Sequence, residues 1–184
     1  MNNTPQHKRY SHLDIGEIYF WTATINKWQK LLLKDTYKDV IINSLQYLST
    51  QRLIDVFAFV IMPNHIHLIW RTNRLNGKES AQGSFLKYTA HLFMKMIRNE
   101  YGSEGLLLYV INAVNKSHEF WQRDPLAIHL FSKKVAFQKL DYNNPLGAHW
   151  QLVKDPVEYK YSTAKFYETG SNDFLFVKDL RAEF

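Results

Sequence analysis

The strongest indication of the fold comes from residues 54–71, IDVFAFVIMPNHIHLIWR. Ile54 to Met62 is, apart from Asp55, a continuous apolar run rich in β-branched and aromatic residues, which is typical of a buried strand. Pro63-Asn64 is a turn signal, and His65 to Arg71 again has the character of a strand. The stretch therefore predicts two antiparallel strands joined by a short turn.

Segments on either side of this hairpin extend the pattern. Upstream, the sequence predicts a strand from Glu17 to Thr24 and a helix to about Leu48 that Asp35 or Thr36 can cap. Downstream, it predicts a loop, a helix and two extended segments, at residues 75–83, 84–99, 119–122 and 126–131. Whether residues 106–111 add a further strand stays open.

The order β-α-β-β-α-β through residue 131 matches the ferredoxin-like arrangement. This is an α+β fold in which an antiparallel sheet carries two helices on one face, so the other face is expected to be free. Two C-terminal helices follow, from Lys133 to about Tyr142 and from the Asp155-Pro156 start signal to Glu168. The chain divides into a polar arm (1–14), one domain (15–170) and a tail (171–184).

Composition excludes several classes of protein. Apolar residues make up 46% and charged residues 22% of the 184 residues, which is globular usage. There are no cysteines, so a disulfide framework, a thiolate zinc site and a cysteine nucleophile are excluded. The apolar runs are too short to span a membrane, and the polar N-terminus lacks the apolar stretch of a secretory signal. The net charge of +6 permits binding to polyanions without requiring it.

Two histidines in the hairpin carry the first chemical signal. Side chains alternate between the two faces of a strand, so His65 and His67 point to the same face. Two imidazoles at this spacing can hold one metal ion through their ring nitrogens. The alternative is that both histidines simply line a polar sheet face.

The segment FVIMPNHIHLIW, residues 59–70, resembles the signature of the single-tyrosine HUH transposases of bacterial insertion sequences. The similarity is greatest to the branch of REP-associated tyrosine transposases. Four more segments resemble family blocks in the same order: SFLKYTAH (84–91), FWQRDPLAI (120–128), DYNNP (141–145) and HWQLVKDPVEYKYSTAKFY (149–167). The resemblance covers nearly all of the chain from Ile18 to Tyr167.

The resemblance implies a metal-dependent DNA transposase. His65 and His67, with Asn144 as third ligand, would hold a divalent metal, and an amide oxygen suits Mg²⁺ or Mn²⁺. Tyr142 would attack a phosphodiester of single-stranded DNA, usually near a hairpin, and form a 5′-phosphotyrosine. The resemblance also implies a bacterial cytoplasmic protein that associates with the nucleoid when it binds DNA, and it leaves monomer and homodimer open.

The tyrosine block departs from the family pattern, in which tyrosine and asparagine lie four residues apart on one helical face. Alignment on Asn144-Pro145 puts Leu140 at the tyrosine position. Alignment on Asp141-Tyr142 leaves two residues missing before the asparagines. Tyr142 and Asn144 would then be about 200° apart on a regular helix. Tyr142 is a nucleophile only if the helix from Lys133 stops at or just after it.

Other residues are predicted to contact DNA. Arg71, Lys87 and Arg123 are expected to bind phosphates, with solvated surface charge as the alternative. Trp70 and Trp121 can stack on unpaired bases, although burial in the core is the usual place for an aromatic residue on a strand.

Three alternatives to an active strand transferase stay open. A domesticated or inactive relative would bind hairpin DNA without chemistry, and the altered tyrosine block favours it. An RNA-binding domain of the RRM type shares the order of elements but lacks its Lys/Arg-Gly-Phe signature here. A metal phosphodiesterase would use water as nucleophile and form no protein–DNA adduct.

Overall fold

The computed structural model describes residues 13–113, 116–143 and 152–184. Six strands are present in these ranges: β1 Ile18–Thr24, β2 Ile54–Ile61, β3 His65–Thr72, β4 Val110–Ala113, β5 Lys116–His118 and β6 Leu126–His129. Four α-helices accompany them: α1 Asp35–Thr50, α2 Ala81–Tyr101, α3 Lys133–Asn143 and α4 Ala164–Thr169. No helix in the described part of the chain is both long and apolar enough to cross a membrane.

The main sheet has the strand order β2-β3-β1-β6, and each neighbouring pair is antiparallel. β4 and β5 form a separate antiparallel pair. This order of the four strands, with α1 after β1 and α2 after β3, is the ferredoxin-like arrangement. The predicted α+β fold is therefore confirmed. β1 and β3 lie in the middle of the sheet, and their register sets Thr24 opposite His65 and Thr22 opposite His67.

One face of the sheet packs against α1 and α2. The apolar positions of α1 recur at helical spacing and are buried there: Tyr37, Val40, Ile41, Leu45 and Leu48. Trp21 and Trp70 from the central strands meet Phe85 of α2, with ring centroids 5.0 to 6.3 Å apart. Each such fully buried side chain stabilises the fold by about 1.5–3 kcal/mol.

The second face of the sheet is partly covered, so the expectation of a free face is wrong. Ala136 and Leu140 of α3 are buried with Phe20 and Ile69 of the central strands in one apolar cluster. The spacing of four residues puts Ala136 and Leu140 on the same side of α3. The C-terminal segment contributes Leu180 to this cluster, and Val177 forms a parallel bridge with β2.

Several element boundaries differ from the sequence expectation. α1 is preceded by Lys34 and has no side-chain cap, so neither Asp35 nor Thr36 caps it. α2 begins at Ala81, earlier than predicted, because the Ser80 hydroxyl accepts the Gly83 N–H at 3.0 Å. Residues 104–109 form a 3₁₀ helix, and the strand begins only at Val110.

The long C-terminal helix predicted from Asp155 is wrong. Asp155 does cap, by accepting the Val157 N–H at 3.0 Å, but the 3₁₀ turn ends at Glu158. The chain then runs along the edge of β2, where Ile61 N–H donates to the Tyr161 carbonyl at 2.9 Å. These hydrogen bonds pair backbone groups at the edge of β2 that would otherwise be unpaired. They would be lost if this segment formed a helix.

A strained turn follows β1. Lys27 and Trp28 both have left-handed backbone angles, with φ of 54° and 57°. The Gln29 N–H donates to the Asn26 carbonyl at 3.3 Å, which together with these angles is the pattern of a type I′ turn. Asn-Gly is the preferred pair at the two central positions of such a turn. A residue with a Cβ costs about 1–2 kcal/mol in this conformation.

Candidate active site

His65 and His67 form a pair on the second face of the sheet, the face on which α3 packs. Their ring centroids are 4.7 Å apart, with the ring planes at 73°. Both residues are buried, with 7% and 8% of their surface exposed. The pairing of β3 with β1 and β2 on either side holds both backbones in the sheet. The side chains therefore have little freedom to separate.

A side-chain oxygen orients each imidazole. The Asn64 Oδ1 lies 2.7 Å from His65 Nδ1, and the Thr22 Oγ1 lies 2.7 Å from His67 Nδ1. Because an amide oxygen only accepts, His65 donates from Nδ1 and carries its lone pair on Nε2. Hydrogen bonds of this kind commonly fix the tautomer of metal-binding histidines.

Both imidazoles are uncharged at neutral pH. Burial lowers the pKa of His65 to about 4. Burial also lowers the pKa of His67 to about 3, with smaller contributions from the charges of His65 and Lys139. A neutral ring is the form that binds metal, so no proton competes with a metal ion at these sites at neutral pH.

Tyr142 lies beside the histidine pair. Its ring centroid is 5.8 Å from that of His67 in an edge-to-face arrangement. Phe20 completes the group, 5.2 Å from His67 and 6.1 Å from Tyr142. About half of Tyr142 (51%) is exposed, which leaves the residue accessible to a large substrate. Leu140, the alternative at the tyrosine position, is 4% exposed and packs in the apolar cluster.

Asn143, the next residue, differs from Tyr142 in lying on the buried side of α3. It is completely buried, and within the described residues its side-chain nitrogen and oxygen have no hydrogen-bond partner. It lies one helical turn beyond Leu140 on the buried side of α3. An unpaired buried amide is unfavourable and rare in native structures. The predicted ligand Asn144 lies outside the described residues, and no group of three His, Cys, Asp or Glu ligands occurs within them.

Lys139 brings a positive charge to the site. Its Nζ is 5.2 Å from the ring centroid of Phe20 and 5.8 Å from that of Tyr142. Sequence reasoning missed this residue, although it lies three positions before Tyr142 and therefore on the same helical face. Thr22 and Phe20 were missed too, because only the strand register brings them to His67.

The three predicted phosphate contacts lie apart from one another. Arg71 is at the far end of β3 from His65, in ion pairs with Asp55 at 2.6 Å and Glu183 at 2.7 Å. Lys87 is exposed on α2, which packs on the opposite face of the sheet. Of the three, Arg123 alone is exposed near the end of the sheet that holds His65. Contact with DNA stays a prediction for each of them.

The two tryptophans considered for base stacking belong to the core. Trp70 is fully buried, and Trp121 is 6% exposed with its indole N–H donating to Thr89 Oγ1 at 2.9 Å. Neither ring has a free face for a base. The core alternative is therefore correct for both.

Comparison with solved structures identifies the fold. A REP-associated tyrosine transposase, solved in complex with a REP hairpin, aligns with a TM-score of 0.60 over 96% of this chain and 93% of its own, at 18% identity. This chain has the same fold. A transposase candidate from Deinococcus radiodurans aligns over 76% of this chain and 95% of its own, at 15% identity and a TM-score of 0.40. No protein-family model and no curated protein sequence matches the chain. The expected similarity to the REP-associated branch is thus confirmed at the level of the fold.

Proposed function

We propose that this protein is a metal-dependent DNA transposase that cleaves and rejoins single-stranded DNA through Tyr142. The observation that carries the proposal is the contact of the Tyr142 ring with His67, which itself adjoins His65. Support also comes from the fold shared with a REP-associated tyrosine transposase that was solved with a hairpin. A nucleophile beside two imidazoles that can hold a metal ion suits metal-assisted phosphodiester transfer.

His65, His67 and the side-chain oxygen of Asn143 are the proposed ligands of Mg²⁺ or Mn²⁺. The two rings suit this role because they are neutral and oriented through Nδ1. The amide suits it because it is buried without a partner among the described residues. Asn144 stays the alternative that the family resemblance implies. A bound divalent cation would polarise the phosphodiester and stabilise the charge that develops on it.

The side chains of the protein perform the remaining steps. The Lys139 ammonium binds the phosphate beside Tyr142. The Tyr142 oxygen attacks phosphorus and loses its proton to solvent, and the bond from phosphorus to the 3′ oxygen breaks. The 3′ oxygen takes up a proton and leaves as a hydroxyl, while the 5′ phosphate stays on Tyr142. Attack by a 3′-hydroxyl reverses these steps and frees Tyr142, so joining needs no ATP.

The proposed substrate is single-stranded DNA next to a hairpin. The net charge of +6 is compatible with a nucleic-acid partner. In a bacterial cell, this activity belongs to the cytoplasm, at the nucleoid.

An adduct assay tests the proposal. The protein is incubated with a hairpin DNA that carries single-stranded flanks, with Mg²⁺ or Mn²⁺, and covalent complexes are separated on a denaturing gel. The parent protein should form an adduct, and Tyr142→Phe should bind the DNA equally well but form none. Tyr47→Phe is the control, because Tyr47 is similarly exposed (61%) but lies on α1.

The other results each contradict the proposal in a different way. Hairpin binding by the parent without an adduct would indicate an inactive relative that only binds DNA. Cleaved product without an adduct would indicate a phosphodiesterase that uses water. An adduct that survives Tyr142→Phe would assign the nucleophile to another tyrosine.

A further inference from the structure

We infer that Trp28 is a stacking platform for an unpaired base of the DNA strand, at the end of the sheet that holds the histidine pair. This inference rests on the proposed function and adds a base-binding residue to it. Aromatic side chains bind single-stranded DNA by stacking, which tolerates any sequence because every base has a π-face.

Backbone hydrogen bonds fix the place of Trp28. The Ile25 N–H donates to the Asn64 carbonyl at 2.8 Å, next to His65, and the Trp28 N–H donates to the Ile25 carbonyl at 3.0 Å. A turn of this kind keeps its ends within about 7 Å, and hydrogen-bonded residues on neighbouring strands are about 5.5 Å apart. The Trp28 backbone is therefore within roughly 12 Å of Asn64, or about three to four stacked nucleotides at 3.4 Å each.

Trp28 differs from the other tryptophans in the described part of the chain. It is 60% exposed, whereas Trp21 and Trp70 are fully buried and Trp121 is 6% exposed. A large ring exposed to water makes few packing contacts unless a binding partner covers it. The ring of Trp28 is thus available to a base, as the rings of Trp70 and Trp121 are not.

The surrounding structure holds the strained turn in place. The Asn26 N–H donates to the Phe120 carbonyl at 2.7 Å, and the Leu32 N–H donates to the Pro63 carbonyl at 2.9 Å. These bonds tie the turn to neighbouring segments on both sides. Strained backbone conformations persist only where the surroundings over-determine them, and they cluster at functional sites. A ring presented on a fixed turn loses little conformational entropy when a base stacks on it.

Positive charges flank the turn. Lys27 and Lys30 are exposed, and within the described residues neither has a carboxylate partner. Arg123 is near the same end of the sheet, because the Gln122 N–H donates to the Thr24 carbonyl at 2.8 Å. Its side chain is 71% exposed, with Glu119 at 3.3 Å. Cations around an aromatic ring match a DNA strand, which alternates phosphates with bases.

The charges favour DNA over a second copy of this chain. A two-fold contact through the turn would set Lys27 and Lys30 against the same residues of the other copy. Like charges brought together in this way repel each other. Self-association through Trp28 is therefore an outcome for the experiment to detect.

Binding to a defined probe tests the inference. The probe is a fluorescent DNA hairpin with short single-stranded extensions, and all proteins carry Tyr142→Phe so that no adduct forms. Trp28→Ala should weaken binding about 5- to 140-fold, the range that loss of one stacked base produces. Trp28→Phe should lose much less. Tyr47→Ala is the matched control and should bind like the parent.

Removal of single bases from the probe separates stacking from general damage to the fold. An abasic site at the stacked position should weaken binding to the parent but not to Trp28→Ala. The dependence of affinity on salt should be unchanged in Trp28→Ala and reduced in Lys27→Ala, because of these two side chains only that of Lys27 carries a charge that can neutralise a phosphate.

Four results would overturn the inference. Equal binding by Trp28→Ala and the parent would remove Trp28 from the site while leaving the proposed function intact. A parent protein that binds no single-stranded DNA would overturn both proposals. If Trp28→Ala folds poorly, the abasic scan is repeated with Trp28→Phe. If removal of single bases then changes its affinity no more than it does for a duplex-only control probe, stacking on this side chain is excluded. A Trp28-dependent dimer in sedimentation, with unchanged DNA affinity of the monomer, would assign the surface to self-association.

Discussion

Replacement of Asn143 by leucine should stabilise the metal-free protein and reduce its response to metal. Leucine has the branching of asparagine but no polar atoms. In the parent, two polar atoms of a fully buried side chain have no partner within the described residues. The two unsatisfied buried groups cost about 1–3 kcal/mol each, or about 2–6 kcal/mol together. The larger methyl groups of leucine overpack the site, which costs about 1–3 kcal/mol. We expect a net gain of about 1–3 kcal/mol in the free energy of unfolding, measured in chelator.

The metal response should change in the opposite direction. A ligand at one hundred times its dissociation constant stabilises a protein by about 2.7 kcal/mol. Each tenfold loss of affinity removes about 1.4 kcal/mol of that stabilisation. If Asn143 donates its side-chain oxygen, Asn143→Leu should therefore gain at least about 1.4 kcal/mol less from saturating Mn²⁺ than the parent does.

Urea unfolding, followed by circular dichroism in chelator and in Mn²⁺, measures both effects. Gln138→Leu is the control, because Gln138 is exposed on the same helix. It should change neither value. If Asn143→Leu is less stable than the parent in chelator, the Asn143 amide has a hydrogen-bond partner. If Mn²⁺ also stabilises this variant as much as the parent, the amide is not a metal ligand.

Three further outcomes follow from the geometry of the site and the strained turn. Thr22→Val removes the hydroxyl that contacts His67 Nδ1, and it should weaken Mn²⁺ binding about 10- to 100-fold in calorimetry, whereas an unchanged affinity would assign the orientation of the ring to packing alone. The metal-free protein should lose stability as pH falls from about 6.5 to 4, because unfolded histidines gain protons there while the pKa values of His65 and His67 are near 4 and 3. The free energy of unfolding should fall by at most about 1.4 kcal/mol per histidine and pH unit. Urea unfolding across that range measures this fall, and a free energy of unfolding that does not change with pH would contradict the prediction. Lys27→Gly should raise the free energy of unfolding by about 1 kcal/mol, because glycine adopts left-handed angles without strain; no gain in thermal unfolding would mean that the turn is unstrained.

The histidine site shows which features of a site can be predicted from the local sequence pattern and which cannot. The alternation of side chains along a strand is a local property, so it placed His65 and His67 on one face without knowledge of the rest of the fold. The same pattern gave no information on Thr22, since the partner of His67 depends on the register between strands distant in sequence. Arg71 was unclear for the same reason, because its ion-pair partner Glu183 is far away in the chain.

Local sequence patterns predicted the elements from β1 to α2, the hairpin around Pro63-Asn64 and the shared face of the two histidines. These features follow from short-range periodicity and turn chemistry, which each segment carries alone. Long-range packing was needed to show that α3 covers the second face, with Tyr142 against His67 and Asn143 buried. It also decided that residues 159–163 pair with the edge of β2, and that Trp28 is exposed on a strained turn. These features depend on contacts between segments that are distant in the sequence. Such contacts, rather than local preference, determine which residues are buried, which strands pair and where the backbone is strained.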